Sequence, residues 1–298
     1  MKTKKYIAAL ILVGCFAVTV KAQLAPLGAI YFQNQYLNNP AYAGLEKGLR
    51  LDLGFRQQWS SIPGAPKMQI ITADYALTEK AGIGISLYND EAGLFERTRL
   101  MGTYAYHLPL NANGNKLSFG VSLGYLDELV DYSRLDGDAS DLIVNDFNQR
   151  QQYFDGDFGV AYTSATLNLQ ASAPNLRNIF SKDQNAEQDV DEARYFFAAS
   201  YKLQLPKSWD AGIEPKVAYR SISGHKDILD IGANLTLANE RVSLTGFYHS
   251  SESATVGLGA KVTKNLELMG LYTSNTAALN GQANGNFEVN LKINLFNK

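Results

Sequence analysis

Alternation of apolar and polar residues with a period of two dominates the chain after residue 48. In residues 49–56, Leu and Phe occupy every second position, and Arg, Asp and Gly fill the positions between them. The last segment, 286–296, repeats the pattern, with Phe, Val, Leu and Ile alternating with Glu, Asn and Lys. Period-two alternation is typical of strands whose two faces meet different environments. The sequence therefore predicts an all-β protein.

About fourteen such segments can be delimited, and most contain about ten residues. A tilted strand needs that length to cross the hydrocarbon layer of a membrane, and bacterial single-chain barrels contain an even number of strands. The predicted strands are 49–59, 67–77, 81–89, 97–108, 116–125, 153–163, 166–173, 193–203, 211–221, 227–237, 240–250, 253–262, 265–273 and 286–296.

The connections between these segments alternate in length. The long connections 126–152, 174–192 and 274–285 fall on one end of the predicted sheet, and very short ones such as 238–239 fall on the other. Outer-membrane barrels combine short periplasmic turns with longer extracellular loops. We therefore predict a single transmembrane antiparallel β-barrel of about 14 strands, formed by residues 49–298. A large soluble β-protein is the alternative.

The N-terminus has the features of an export signal. Three lysines within the first five residues precede an apolar stretch at 6–20, and small residues at 20 and 22 predict a cleaved signal peptide at 1–22. Leu12-Val13-Gly14-Cys15 resembles a lipoprotein box, so lipidation of Cys15 remains an alternative. Residues 23–48 show no regular alternation and are predicted to form a periplasmic N-terminal segment ahead of the barrel.

Composition and charge narrow the possible functions. Among 298 residues, 27 Lys and Arg stand against 29 Asp and Glu, for a net charge of −2, and no long basic tract predicts nucleic-acid binding. The one Cys excludes an internal disulfide and a Cys-rich metal site. The sequence also predicts no cofactor, because Gly82-Ile83-Gly84 is followed by no helix of a dinucleotide-binding fold.

The histidines do not form an obvious catalytic or metal-binding set. No two of His107, His225 and His249 stand at ligand spacing, so no metal site is predicted. His249-Ser250-Ser251 is the nearest approach to a lipase-like pair, but the sequence offers no group that would orient the histidine. We therefore predict that the protein is not an enzyme.

Seven short motifs follow one another along the chain. They are Asn39-Pro40-Ala41-Tyr42-Ala43-Gly44, Arg56-Gln57-Gln58-Trp59, Gly64-Ala65-Pro66-Lys67, Gly82-Ile83-Gly84-Ile85, Tyr104-Ala105-Tyr106-His107, Leu117-Ser118-Phe119-Gly120 and Ala173-Pro174-Asn175-Leu176. Their ordered set resembles the PorP/SprF family of Bacteroidetes type IX secretion and gliding systems. The positions singled out as structural or partner-binding are Asn39, Pro40, Ala41, Tyr42, Gly44, Arg56, Gln57, Gln58, Trp59, Gly64, Ala65, Pro66, His107, Pro174, Asn175 and Leu176.

This resemblance implies a non-catalytic barrel in the bacterial outer membrane, surrounded by its lipids. The implied partner is the C-terminal domain of a secreted cargo protein or adhesin, held at the cell surface. A link to the periplasmic secretion ring and its peptidoglycan-binding subunit is equally open. The runner-up is a passive diffusion porin, because inward-facing charges of the first and last strands would line an aqueous lumen unless residues 23–48 fill it.

Overall fold

The computed structural model describes residues 29–59, 64–130, 152–180, 193–206, 209–222, 227–274 and 285–296. The predicted signal peptide with Cys15, His225, and much of the three longest predicted loops lie outside these residues. The strands are β1 (Leu49–Gln58), β2 (Lys67–Ala76), β3 (Ala81–Ala92), β4 (Phe95–Pro109), β5 (Lys116–Val130), β6 (Gln152–Thr163), β7 (Leu167–Ala173), β8 (Ala193–Tyr201), β9 (Leu203–Gln204), β10 (Ala211–Ile222), β11 (Ile228–Leu237), β12 (Val242–His249), β13 (Ser253–Lys261), β14 (Leu266–Thr273) and β15 (Asn286–Leu295).

These strands form one closed antiparallel barrel. Each strand pairs with its neighbour in sequence, and β1 closes the wall by pairing with β15 in the register Leu49↔Leu295 to Gln58↔Asn286. The two-residue strand β9 continues β8 after a break at Lys202 and pairs with the same strand, β10. The described wall therefore has fourteen strand positions, and the predicted fold is confirmed.

The alternation seen in the sequence becomes an outer and an inner face. On β15, Phe287 and Val289 are about half exposed on the outside, whereas Glu288 and Asn290 are buried inside. The same holds on β4, where Tyr104 is exposed and Ala105 is fully buried. Successive side chains of a strand point to opposite faces, so lipid contacts one apolar surface while the inner face stays small or polar.

The two mouths of the barrel differ. Connections such as 77–80, 164–166, 238–241 and 262–265 are short and meet at one end, which we name the short-turn mouth. The other end, the long-loop mouth, receives the connections from β1 to β2, β3 to β4, β5 to β6, β7 to β8, β10 to β11, β12 to β13 and β14 to β15. This is the grouping that the sequence predicts.

Strands β3, β4 and β5 extend past the apolar belt at the long-loop mouth. β4 and β5 contain 15 residues each and stay paired up to Phe95↔Val130. On the outer face of β4, the apolar Leu100 gives way to Thr98 and Glu96, whose side chains both accept hydrogen bonds from Asn89 of β3. The change from apolar to polar residues marks where these strands leave the hydrocarbon layer.

The N-terminal residues fill the barrel. Residues 29–44, which we name the plug, form three short 3₁₀ helices, η1 (Ile30–Phe32), η2 (Gln35–Leu37) and η3 (Pro40–Tyr42). Most plug side chains are buried by the inner face of the wall. The described part of the predicted periplasmic segment therefore lies inside the lumen and does not form a separate body at one mouth.

Candidate functional site

Charged side chains of the wall bind both ends of η1 through its backbone. The Glu288 carboxylate accepts hydrogen bonds from the backbone N–H groups of Ala29, at 3.0 and 2.9 Å, and of Ile30, at 3.0 Å. At the other end, Lys216 donates to the carbonyl of Phe32 at 3.2 Å and Lys292 to that of Gln33 at 3.3 Å. A carboxylate at the N-terminus and ammonium groups at the C-terminus match the direction of the helix dipole.

Arg56, from the second sequence motif, stands behind Glu288. Its guanidinium lies 3.8 Å from the Glu288 carboxylate, and both side chains are almost completely inaccessible to solvent. Removing one partner from a buried ion pair leaves an uncompensated charge, which costs about 3–5 kcal/mol. The pair therefore fixes the carboxylate that binds the start of the plug.

Asp230 on β11 is the centre of a second buried network. It accepts a hydrogen bond from the hydroxyl of Tyr31 and pairs with the Arg220 guanidinium at 2.9 Å. His249 Nδ1 lies 2.5 Å from the same carboxylate, and His249 Nε2 lies 2.7 Å from the hydroxyl of Thr255. One plug tyrosine is thus tied to three neighbouring strands.

The Asp230–His249–Thr255 alignment corrects the sequence-based statement that no group orients His249. An orienting carboxylate for His249 does exist, because the register places Asp230 directly opposite it. The hydroxyl partner belongs to Thr255 rather than to Ser251, and it is 1% exposed and also hydrogen-bonded to Thr273. A nucleophile needs access to its substrate, and this hydroxyl is enclosed by the wall and the plug. The geometry therefore supports a structural role.

An apolar cluster closes the lumen beside β8–β14. Phe32 stacks on Phe247 with ring centroids 3.7 Å apart and an interplanar angle of 7°, and Tyr31 meets Phe196 edge to face at 5.5 Å. The other buried members are Ala29, Ile30, Ala218, Met269 and Leu271. Dense apolar packing excludes water from the part of the lumen that this cluster occupies.

The Asn39-Pro40-Ala41-Tyr42 motif forms η3 and closes the opposite half of the lumen. Asn39 caps its own helix by accepting from the Ala41 N–H at 3.0 Å, and its amide donates to the carbonyls of Val160 and Ala171 on β6 and β7. Pro40 suits the first helical position because its fixed φ fits the helix and it needs no N–H partner there. The motif therefore docks a helical turn onto the wall.

Two wall glycines make room for this turn. A Cβ atom on Gly120 would lie 2.2 Å from the Pro40 carbonyl carbon, and one on Gly159 would lie 2.0 Å from the Asn39 side chain. Both belong to the inner face of their strands, where a glycine allows another backbone to approach closely. The Gly-rich inner faces are thus explained by contact with the plug.

The exit of the plug is fixed near the short-turn mouth. Gly44 adopts φ +65°, and its N–H donates to Asp74 at 2.8 Å. His107 is fully buried, with Nδ1 2.9 Å from the Ser118 hydroxyl and Nε2 3.1 Å from the carbonyl of Ala43. Tyr42 donates to Asn168 at 2.5 Å. His107 thus positions the plug, consistent with the structural interpretation of this residue.

The remaining members of the second and third motifs lie at the long-loop mouth. Gln57 and Gln58 end β1, and the Gln58 N–H donates to the Pro66 carbonyl at 2.9 Å. Trp59 and Gly64 have positive φ values of 44° and 71° in the connection that follows. These residues, with Ala65, shape the first turn of this mouth.

Pro174-Asn175-Leu176 ends β7 and starts the short helix α1 (Leu176–Phe180) at the same mouth. Asp157 accepts from the Asn175 N–H at 3.0 Å, and Asp155 accepts from the Arg177 N–H at 2.8 Å. Asp157 also binds Arg99 of β4 at 2.5 Å. The sequence analysis missed both aspartates, although two acids at alternate positions of one predicted strand, and therefore on one face of it, were a visible signal.

A polar cavity of about 190 Å³ opens beside the plug toward the short-turn mouth. Its wall includes Gln33 of the plug, and Lys202, Glu240 and Lys261. The Lys261 ammonium donates to Glu240 at 3.0 Å, and this contact holds the pKa of that turn carboxyl below its ordinary value. Phe32 and Phe247 of the apolar cluster do not line this cavity.

No group of three or more His, Cys, Asp or Glu side chains able to hold a metal ion occurs within the described ranges. None of the described helices is long and apolar enough to span a membrane.

Comparison with solved structures identifies other outer-membrane barrels. Omp33 of Acinetobacter baumannii is 7% identical, with 84% of this chain and 99% of that chain covered and a TM-score of 0.50. The toluene transporter TbuX of Ralstonia pickettii is 11% identical over 87% of this chain and 92% of its own, with a TM-score of 0.49. No curated protein matches the sequence. The likeness to Omp33 supports the barrel fold.

The family comparison is more informative than these distant structures. Residues 20–293 match the profile described as "Type IX secretion system membrane protein PorP/SprF". The match covers the plug, the motifs at both mouths and the described wall up to residue 293 of β15. The chain therefore belongs to the PorP/SprF family of type IX secretion system membrane proteins.

Proposed function

We propose that this protein is a non-catalytic receptor of the type IX secretion system that holds a secreted cargo protein or adhesin at the cell surface. The partner would be the C-terminal domain of that cargo, bound at the long-loop mouth. Family membership supports a place in the secretion system, and the closed lumen supports a role that is carried out at a mouth of the barrel.

The observation that carries this proposal is the plug with its two buried clusters. One cluster contains Phe32 and Phe247, and the other contains Tyr36, Tyr42 and Ala105. Together they occupy both halves of the lumen, so a wide permanent channel is not expected. Function then depends on the surfaces at the two mouths, where recognition residues are usually carried by loops on a rigid scaffold.

The long-loop mouth offers the more elaborate surface. The β3–β5 extension projects beyond the belt, and α1 is held against the wall by Asp155 and Asp157. Phe95, at the tip of the β3–β4 hairpin, is 60% exposed. An exposed aromatic ring on an ordered support is the type of residue that often dominates a protein interface.

The competing role, a link to the periplasmic ring and its peptidoglycan-binding subunit, would use the short-turn mouth. Trp209 is 69% exposed at that end and provides a matched probe. We expect Phe95→Asp to abolish recovery of a cargo-type C-terminal domain when the tagged barrel is purified from its native envelope and analysed by mass spectrometry. Trp209→Asp should leave that recovery unchanged.

The opposite pattern, in which ring subunits are recovered and depend on Trp209, would assign the protein to the core machinery. Recovery of neither class by the folded wild-type barrel in mild detergent would contradict the proposal. The porin alternative requires large, steady conductance from the purified wild-type barrel in a planar bilayer.

A further inference from the structure

We propose that the plug passes through the barrel from the long-loop mouth to the short-turn mouth, so that the mature N-terminus emerges at the long-loop mouth. The N- and C-termini would then lie on opposite sides of the outer membrane. This differs from the sequence-based expectation of a periplasmic segment at 23–48, and it does not depend on the proposed cargo role.

The start of the plug is fixed near the long-loop mouth. Ala29 and Ile30 bind Glu288, which is two positions from the long-loop end of β15 at Asn286. Tyr31 binds Asp230, which is two positions from the corresponding end of β11 at Ile228. Two independent contacts therefore place the beginning of the plug about 7 Å, measured along the strands, from their ends at the long-loop mouth.

The end of the plug is fixed at the opposite mouth. Gly44 binds Asp74, two positions from the short-turn end of β2, and the carbonyl of Ala43 contacts His107, two positions from the short-turn end of β4. β1 then begins at Leu49, also at the short-turn mouth. The plug thus crosses the lumen once along its length.

The long-loop mouth is the nearer exit for the residues that precede Ala29. The predicted mature chain has six residues, 23–28, ahead of Ala29, and they can span at most about 20 Å. Asp230 is two positions, or about 7 Å along the strand, from the long-loop end of β11 at Ile228, but seven positions, or about 23 Å along the strand, from its short-turn end at Leu237.

This direction also constrains assembly of the barrel. The signal peptide is predicted to be removed before the chain reaches the outer membrane, so the new N-terminus starts on the periplasmic side. Plug contacts involve strands from β2 to β15, including Thr72 at one end of the sequence and Glu288 at the other. The wall would therefore close around the plug, with β1–β15 pairing after the N-terminus has entered the forming lumen.

Cysteine labelling tests this path directly. The sequence contains one Cys, Cys15, which lies in the predicted signal peptide, so an introduced cysteine would be the sole thiol of the mature chain. We would label Leu24→Cys with a membrane-impermeant maleimide, before and after outer-membrane permeabilisation. Phe95→Cys reports the long-loop mouth, and Asn239→Cys, in an exposed turn, reports the short-turn mouth.

Leu24→Cys should label under the same conditions as Phe95→Cys. The proposal would be overturned if Leu24→Cys were labelled under the conditions that label Asn239→Cys. It would also be overturned if Leu24→Cys were labelled neither before nor after permeabilisation although the denatured protein reacts. Because the comparison is internal, the result does not depend on which mouth faces the cell exterior. An epitope tag inserted after Gln23 gives a second measurement, and heat-modifiable migration on a gel verifies that each variant is folded.

Discussion

Phe32→Ala should open one half of the lumen while leaving the wall intact. The Phe32 ring is 5% exposed, stacks on Phe247, and lies 5.4 Å from the Lys216 ammonium. Truncating a buried Phe to Ala usually costs about 3–5 kcal/mol, through lost burial and the cavity left behind. The substitution leaves the pairings between the wall strands intact, so we expect it to destabilise the docking of η1 onto the wall.

At about 3 kcal/mol, the ratio of undocked to docked η1 should rise by a factor of about 100, since each 1.4 kcal/mol corresponds to a tenfold change. The assay is single-channel recording of the purified barrel in a planar bilayer. Phe32→Ala should show brief openings whose total open fraction is about 100 times that of the wild type. Phe154→Ala is the matched control, because that ring is 81% exposed on the outer face.

The reasoning fails if folded Phe32→Ala remains as closed as the wild type, because the cluster would then contribute little to closure. It also fails if the wild type conducts steadily, because the plug would then leave a path through the lumen. An equal rise in open fraction for Phe154→Ala would point to general damage of the barrel rather than to release of η1.

Three further outcomes follow from particular contacts. Gly120→Ala would place a methyl group 2.2 Å from the plug backbone and should prevent formation of the heat-modifiable folded band, whereas Gly102→Ala, with its nearest neighbour at 3.9 Å, should fold normally. Thr255→Val removes the hydroxyl beside His249 and should leave cargo display on intact cells unchanged; loss of display from a folded barrel would indicate a chemical role. Asp155→Ala should weaken the start of α1 by about 1 kcal/mol and accelerate amide hydrogen exchange at residues 175–177; unchanged exchange would contradict the capping role.

The wall could be predicted from the sequence because membrane strands obey two simple constraints, period-two alternation and a length of about ten residues. The last predicted strand, 286–296, differs from the observed Asn286–Leu295 by one residue. The extension of β3 and β4 was underestimated because outer residues such as Asn89 and Glu96 turn polar where the strands leave the membrane. On β5, the apolar residue Leu126 points inward and interrupts the pattern. Alternation of apolar and polar positions then no longer marks the strand.

The plug contacts could not be predicted in the same way. Residues 29–44 have no periodicity, and their three 3₁₀ helices are ordered by partners far away in sequence, such as Glu288 for Ala29. Asp230 and His249 are likewise brought together by the register between β11 and β12. The Asn-Pro-Ala-Tyr motif was a visible signal, but its partners Gly120 and Gly159 are recognisable only once the strands are aligned around the lumen.

Inward-facing charge is usually taken as a sign of a water-filled pore, but in this barrel most of the predicted lining charges hold the plug. Arg50 binds Asp74 at 2.9 Å, and Asp74 in turn accepts from the Gly44 N–H. Glu288 and Lys292 bind backbone groups at the two ends of η1. A pore and a plugged barrel therefore share the same pattern of charged inner positions. What distinguishes them is the partner of each charge, because backbone N–H and carbonyl groups of an internal segment take the place that water and ions occupy in a channel.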